Sequence, residues 1–114
     1  MISQMTHEGM EQGRVMVDAF QIQQYRNSDN LHLRLTGILD EEAALTLMEM
    51  LNGNRASVQK IFVHTAALDE VMDSGAELFR SSLTSLDLPG AEIIFTGKKG
   101  AQISEKAPGI RLMR

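Results

Sequence analysis

The chain predicts an α/β fold: a mixed sheet of four to five strands with two to three helices mainly on one face, in the order ββαβαβ(α)β. Three observations carry this expectation. Leu31, Leu33 and Leu35 alternate strictly with polar residues, as in a strand with one buried face. Two later runs, Ile61-Phe62-Val63 and Ile93-Ile94-Phe95, are continuously apolar, as in central strands covered on both faces. Between and around them, apolar residues recur at helical spacing, so strands alternate with helices and parallel pairing through right-handed crossovers is expected.

Size and composition set the frame. A length of 114 residues suits one domain, and 43% hydrophobic with 23% charged residues is ordinary for a globular chain. There is no cysteine, which excludes disulfides, thiolate metal sites and cysteine nucleophiles. No apolar run approaches the length of a membrane span, and the N-terminus has neither a basic start nor an apolar run of a secretory signal. A cytoplasmic protein is expected. The net charge of −4 is unevenly spread: residues 98–114 hold five basic groups and one acidic, leaving −8 over the first 97 residues. That balance argues against nucleic acid as a partner, and no stacking aromatics accompany the basic tail.

In chain order, residues 1–14 are polar with no periodic apolar pattern and read as a flexible arm ahead of a domain over 15–114. Residues 15–25 read as a strand in which Val15 and Val17 lie on one parity and Phe20 and Ile22 on the other. That shift marks a late strand start or a bulge. Arg26-Asn27-Ser28-Asp29-Asn30 is turn chemistry, so this strand and 31–35 form an antiparallel hairpin. Gly37 is expected to break the strand. Asp40 then caps a helix with Glu41 and Glu42 in its first turn, buried through Ala44, Leu47, Met48 and Leu51 and ended by Asn52-Gly53.

The strand at 60–65 comes next. Residues 68–86 read as a loop running into a helix, with Asp73-Ser74-Gly75 at the join and Leu78, Phe79, Leu83 and Leu86 as its buried stripe. Ser74-x-x-Glu77 fits a capping box. Pro89-Gly90 turns the chain into a strand at 91–96, residues 97–107 hold one short helix, and Ile110–Met113 is a final edge strand.

Catalysis finds little support. His7, His32 and His64 lie on separate elements with no second ligand at metal-binding spacing. No serine sits in a nucleophile elbow with a histidine and an acid. Asp69, Glu70 and Asp73 crowd one loop, but paired-carboxylate hydrolysis needs a deep cleft. Gly97-x-x-Gly100, with Lys98 and Lys99, invites a phosphate-loop reading but lacks the Gly-Lys-Ser/Thr ending, so a plain strand-to-helix turn is the better account. No enzyme, cofactor or metal is expected.

Two ordered motifs resemble STAS domains, the anti-sigma-factor antagonists and their relatives. Arg34-Leu35-Thr36-Gly37-Ile38-Leu39-Asp40, with Ala43 and Leu47, is similar to the family's "R-L-x-G-x-L-D…A…L" opening. The strand Ile61 to Thr65, a loop, Asp73-Ser74-Gly75 and an amphipathic helix are similar to its strand leading to "D-S-S-G" at a helix start. Ala91-Glu92-Ile93-Ile94-Phe95-Thr96-Gly97 looks like the following strand. The resemblance covers roughly residues 16–113. It implies a non-enzymatic switch in which a protein partner, often a serine/threonine kinase that sequesters a sigma factor, docks at the D-S-S-G turn and phosphorylates its first serine.

By this resemblance the docking residues are Asp40, Met72, Asp73, Ser74, Gly75 and Glu77, with Ser74 the candidate phosphorylation site. The turn departs from the family, with three residues in place of four. An ungapped match at Gly75 puts Met72 at the family's aspartate, Asp73 at the phosphoserine and Ser74 at the second serine. A one-residue deletion leaves Asp73 and Ser74 in the family roles. His64-Thr65 stands where the family often has an acidic or amide residue. The chain is also expected to lack the family's C-terminal helix, leaving a face for a partner or a second copy, as a homodimer, to cover. Two alternatives stand beside the regulator: a STAS-like scaffold subunit that has lost the switch, and a small-ligand or nucleotide binder using Gly97 to Gly100.

Overall fold

The computed structural model describes residues 11–17, 19–27, 29–54, 56–85, 91–104 and 110–113. Three strands come first, β1 (Glu11–Val17), β2 (Phe20–Arg26) and β3 (Asn30–Leu39), each antiparallel to the one before. After β3 the chain alternates: α1 (Glu41–Asn54), β4 (Lys60–His64), β5 (Leu68–Val71), α2 (Asp73–Ser85), β6 (Glu92–Thr96), α3 (Lys99–Ser104) and β7 (Ile110–Met113). The result is an α/β fold on one mixed, seven-stranded sheet in the order β1-β2-β3-β4-β6-β7, with β5 extending beside the far half of β3. Strands β3, β4, β6 and β7 are parallel neighbours laid down in one direction. Right-handed crossovers in one direction put every helix on the same face.

That face is the core. Leu31, Leu33 and Leu35 point into it with Ile61, Val63, Ile93 and Phe95, and α1 covers them with Ala43, Ala44, Leu47, Met48 and Leu51, all buried. Phe79 of α2 meets Phe95 of β6 edge-on, ring centroids 5.6 Å apart at 75°, a geometry aromatic pairs favour. Ala76 and Phe79 are buried and Leu78 half-buried, so this part of the expected α2 stripe is present. The Leu83 side chain and Leu86 lie outside the described residues.

Four elements differ from the sequence expectation. Residues 15–25 are two strands, because the chain reverses between Val17 and Phe20, which pair with each other; the parity shift marks that reversal. Asp18-Ala19 contains none of the glycine or asparagine such tight hairpins favour, which hides the turn in the sequence. Glu11, Gln12, Gly13 and Arg14, expected in the arm, form the first half of β1; residues 1–10 lie outside the described residues. The expected break at Gly37 is not a break: β3 runs through it to Leu39, and its register against β5 shifts between Gly37 and Ile38. Gly37 has φ +93°, and a Cβ there would run into the Ala19 carbonyl, which accepts the Ile38 N–H at 3.0 Å. Only glycine suits both conditions. Lastly, Leu68–Val71, expected as loop, is the strand β5. Leu68 and Val71 are buried while Asp69 and Glu70 between them are exposed, so tertiary pairing with β3 makes the strand where propensity does not. The shift leaves Asp69 of β5 as the extra residue, and the end of β3 pairs with β5 where its first half pairs with β4.

The turn at Asn27 to Asn30 is as expected, closed by Asn27 N–H to the Asn30 carbonyl at 3.1 Å and Asn30 N–H to the Asn27 side chain at 3.0 Å. On β6 all three of Ile93, Ile94 and Phe95 are buried, whereas Phe62 in β4 is only half-buried on the face without helices. Among the described residues no helix is long and apolar enough to cross a membrane.

Candidate functional site

Two strand-to-helix joins, β3 to α1 and β5 to α2, meet at one edge of the sheet, as parallel pairing of β3 and β5 requires. At the first, Asp40 caps α1. Its Oδ1 accepts the Ala43 N–H at 2.9 Å, and its carbonyl accepts the Ala44 N–H at 2.9 Å. At the second, the Met72 N–H donates to the Leu39 carbonyl at 3.0 Å, tying the end of β5 to the end of β3. The Met72 carbonyl then accepts the Ala76 N–H at 3.0 Å, so Met72 is the N-cap of α2 and helical geometry begins at Asp73. Ser74 therefore lies inside the first turn, not at the cap that a capping box with Glu77 needs. The Met72–Leu39 bond sets the start of α2 earlier than the Ser74-x-x-Glu77 spacing suggests.

Gly75 locks the two joins together. It is buried, and a Cβ there would stand 2.6 Å from the Leu39 carbonyl oxygen and 2.7 Å from that of Asp40. Backbone therefore rests on backbone, and any side chain would push α2 off the α1 join. The Asp40 join and the turn Met72 to Gly75 are thus brought together, with Glu77 following on α2. Gly75 is the seat and Asp40 the half-buried cap, while Met72, Asp73, Ser74 and Glu77 are exposed.

No protein-family model matches the chain, and no curated protein does.

The edge is acidic. The segments 38–54 and 61–79 contain eight carboxylates and no lysine or arginine. Asp69 and Glu70 on β5, Asp73 and Glu77 on α2, and Glu41 and Glu42 on α1 are all exposed. Within this setting Met72 keeps 41% of its surface in solvent, and Leu45 on α1 keeps 49%. Two exposed apolar side chains thus lie on elements whose exposed charges are acidic.

Gly97-x-x-Gly100 has a packing role. Gly97 has φ +95°, and a Cβ there would fall 2.6 Å from Thr65 Oγ1 and 2.9 Å from the Ala66 nitrogen. The space that glycine leaves is taken up by the end of β4. Thr65, fully buried, donates its hydroxyl to the Thr96 carbonyl at 2.7 Å, and that carbonyl also accepts the Thr65 N–H at 3.0 Å. This is the strand-to-helix turn favoured by the sequence, leading into the short helix α3.

Two histidines that sequence spacing kept apart come together on the opposite, helix-free face. His32 Nδ1 and His64 Nε2 are 3.0 Å apart, and His64 Nδ1 is 2.7 Å from Thr96 Oγ1. The His32 ring also stacks on Phe62, centroids 4.8 Å apart at 10°. Burial, and then the neighbouring His32, hold His64 below its ordinary pKa of 6.5. The signal was present in outline, since both histidines occupy outward positions of alternating strands. Only the pairing of β3 with β4 makes them neighbours. Among the described residues no three histidine, aspartate, glutamate or cysteine side chains cluster as metal ligands.

Proposed function

We propose that the chain is a STAS-like regulatory module, not an enzyme, that docks a protein partner through the surface around Met72, Asp73, Ser74 and Glu77. The carrying observation is the seat of Gly75 on the Leu39 and Asp40 carbonyls. It joins two helix starts into one rigid, exposed, acidic edge with an apolar side chain at its centre. A serine/threonine kinase that sequesters a sigma factor is the partner class the family resemblance implies, acting in the cytoplasm, with Ser74 the residue it modifies.

Ser74 is exposed on the first turn of α2, where a phosphate adds about −1.5 to −2 charges. The helix N-terminus favours that charge, whereas Asp73 and Glu77 oppose it. The isolated fold therefore changes little. A docked partner, fitted around a hydroxyl and Met72, must strip water from the phosphate, and docking weakens.

Affinity capture from the native organism, with mass spectrometry of bait and partner, tests this. Wild type and Ser74→Ala should retain the same partner. Ser74→Asp should bind it about 5–150-fold more weakly, a coupling of about 1–3 kcal/mol, while its stability stays within about 1 kcal/mol of wild type. Phosphate on Ser74 in the captured bait would support the switch. A partner indifferent to substitution at both Met72 and Ser74 would overturn the docking surface. Normal binding by Ser74→Asp with tighter binding by Asp73→Ser would put Asp73 at the phosphoserine place and leave a scaffold with its switch lost.

A further inference from the structure

The sheet face that carries no helix among the described residues holds a second feature, chemically opposite to the acidic edge. Arg14, Gln23, Arg34 and His64 stand in one row across β1, β2, β3 and β4, each paired in register with the next. With Tyr25 and His32 from the adjoining row they line a cavity of 740 Å³. That size lies within the range of small-molecule sites. In a chain of net charge −4, the cavity lining carries two arginines and two histidines and, among the described residues, no carboxylate.

Both guanidinium groups are open among the described residues. Arg14 and Arg34 are exposed, and neither has a carboxylate partner among the described residues. Arg34 donates from Nη1 to Gln23 Oε1 at 3.0 Å, which holds it over the cavity and leaves its other N–H groups for a planar, bidentate acceptor. The rings beside them are held in place. His32 lies between Tyr25, 5.6 Å away and tilted by 60°, and Phe62, and is bonded to His64.

The Thr96–His64–His32 chain has two neutral forms. In one, protons point from His32 through His64 to Thr96, leaving His32 Nε2 as an acceptor. In the other, Thr96 donates to His64 Nδ1, His64 Nε2–H donates to His32 Nδ1, and His32 Nε2 carries a donor N–H. An acceptor that reaches His32 Nε2 selects the second.

We propose that this cavity binds a small organic anion with a planar ring. Its phosphate or carboxylate is taken by Arg14 and Arg34, and its ring lies against Tyr25 and His32. The site is on the face opposite α2 and does not rest on the docking reading. Its loss and the loss of partner capture are separately measurable.

The test is an NMR titration of the full chain with adenosine 5′-monophosphate, with benzoate, and with uncharged adenosine as control. One or both anions should give saturating shifts at Arg14, Tyr25, His32, Arg34 and His64, and adenosine none. Saturation by the nucleotide alone assigns a phosphate site, and saturation by benzoate alone a carboxylate site. Arg34→Gln and Arg14→Gln should each weaken binding by about tenfold or more, the loss of one charge-assisted hydrogen bond. Ring-nitrogen shifts should move His32 to the Nε2–H form on binding. If neither anion saturates these residues, or adenosine binds as tightly as its monophosphate, the proposal is overturned. Unchanged affinity in both arginine variants would also overturn it, since each variant can be checked for folding by its own spectrum.

Discussion

Replacing Gly75 with alanine puts the seat of α2 to a direct test. In an exposed helix interior glycine to alanine gains about 1 kcal/mol. Here the new Cβ would stand 2.6 Å from the Leu39 oxygen and 2.7 Å from that of Asp40, whereas ordinary contact begins at 3.4 Å. The first turn of α2 must therefore retreat by about 0.8 Å in a close-packed interior. The atoms in the way are backbone carbonyls, which cannot swing aside as a side chain can, and the Leu39 carbonyl is already bonded to Met72.

Overpacking of this kind costs about 1–3 kcal/mol, and loosening the Met72–Leu39 bond adds about 1 kcal/mol. After the propensity gain, Gly75→Ala should lose about 1–3 kcal/mol and lower Tm by about 5–15 °C. Gly53→Ala, near the end of α1 with nothing within 4 Å of the new Cβ, should be neutral or stabilising by up to about 1 kcal/mol. Urea unfolding followed by circular dichroism reads both, as a shift in midpoint at unchanged slope. A Gly75→Ala chain as stable as wild type, beside a stabilised Gly53→Ala control, would mean that α2 is not seated on the α1 join.

Three further outcomes follow from the same structure. Asp40→Ala should cost about 0.5–2 kcal/mol through the lost α1 cap, and Asp40→Ser, which can still cap, should recover most of it in the same unfolding assay. Gly37→Ala should cost more than Gly75→Ala, about 3 kcal/mol or above, because it meets both the positive φ and the Ala19 carbonyl. The third concerns pH. His64 faces His32 and Arg34 of β3 and Thr96 of β6, and its folded pKa lies below 6.5. The unfolded chain therefore takes up that proton first as the pH falls. Its stabilising share is complete above pH 6.5 and is lost as the pH drops through the folded value. His64→Gln should flatten that part of the stability–pH curve below 6.5, measured by urea midpoints across the range. An unchanged slope would show that His64 is not the group responsible.

Local chemistry made much of this protein legible in its sequence. The Leu31, Leu33, Leu35 alternation, the helical spacing of Ala44, Leu47, Met48 and Leu51, and the Asp40 cap each follow from interactions within a few residues. Strand–helix alternation then implies parallel pairing, and parallel pairing puts the Asp40 and Asp73 joins at one edge. The start of α2 shows where this reach ends. Ser74 with Glu77 suits a capping box, but a hydrogen bond from Met72 to Leu39, 33 positions earlier in the chain, places the cap at Met72.

The strand β5 has the same origin, since Leu68-Asp69-Glu70-Val71 has little strand propensity of its own and extends because the end of β3 offers it a partner. Gly37 announces a special backbone position in the sequence, but not whether the chain stops there or bends. The side of the sheet taken by Arg34 and His32 follows from local alternation, whereas Arg14 joins it only because residues 11–14 pair as part of β1. That they stand together is decided by strand order and register, which bring Arg14, Arg34 and His64 into one row through Gln23, and His32 into the next. Such contacts depend on pairings across up to half the chain, and no window of neighbouring residues contains them.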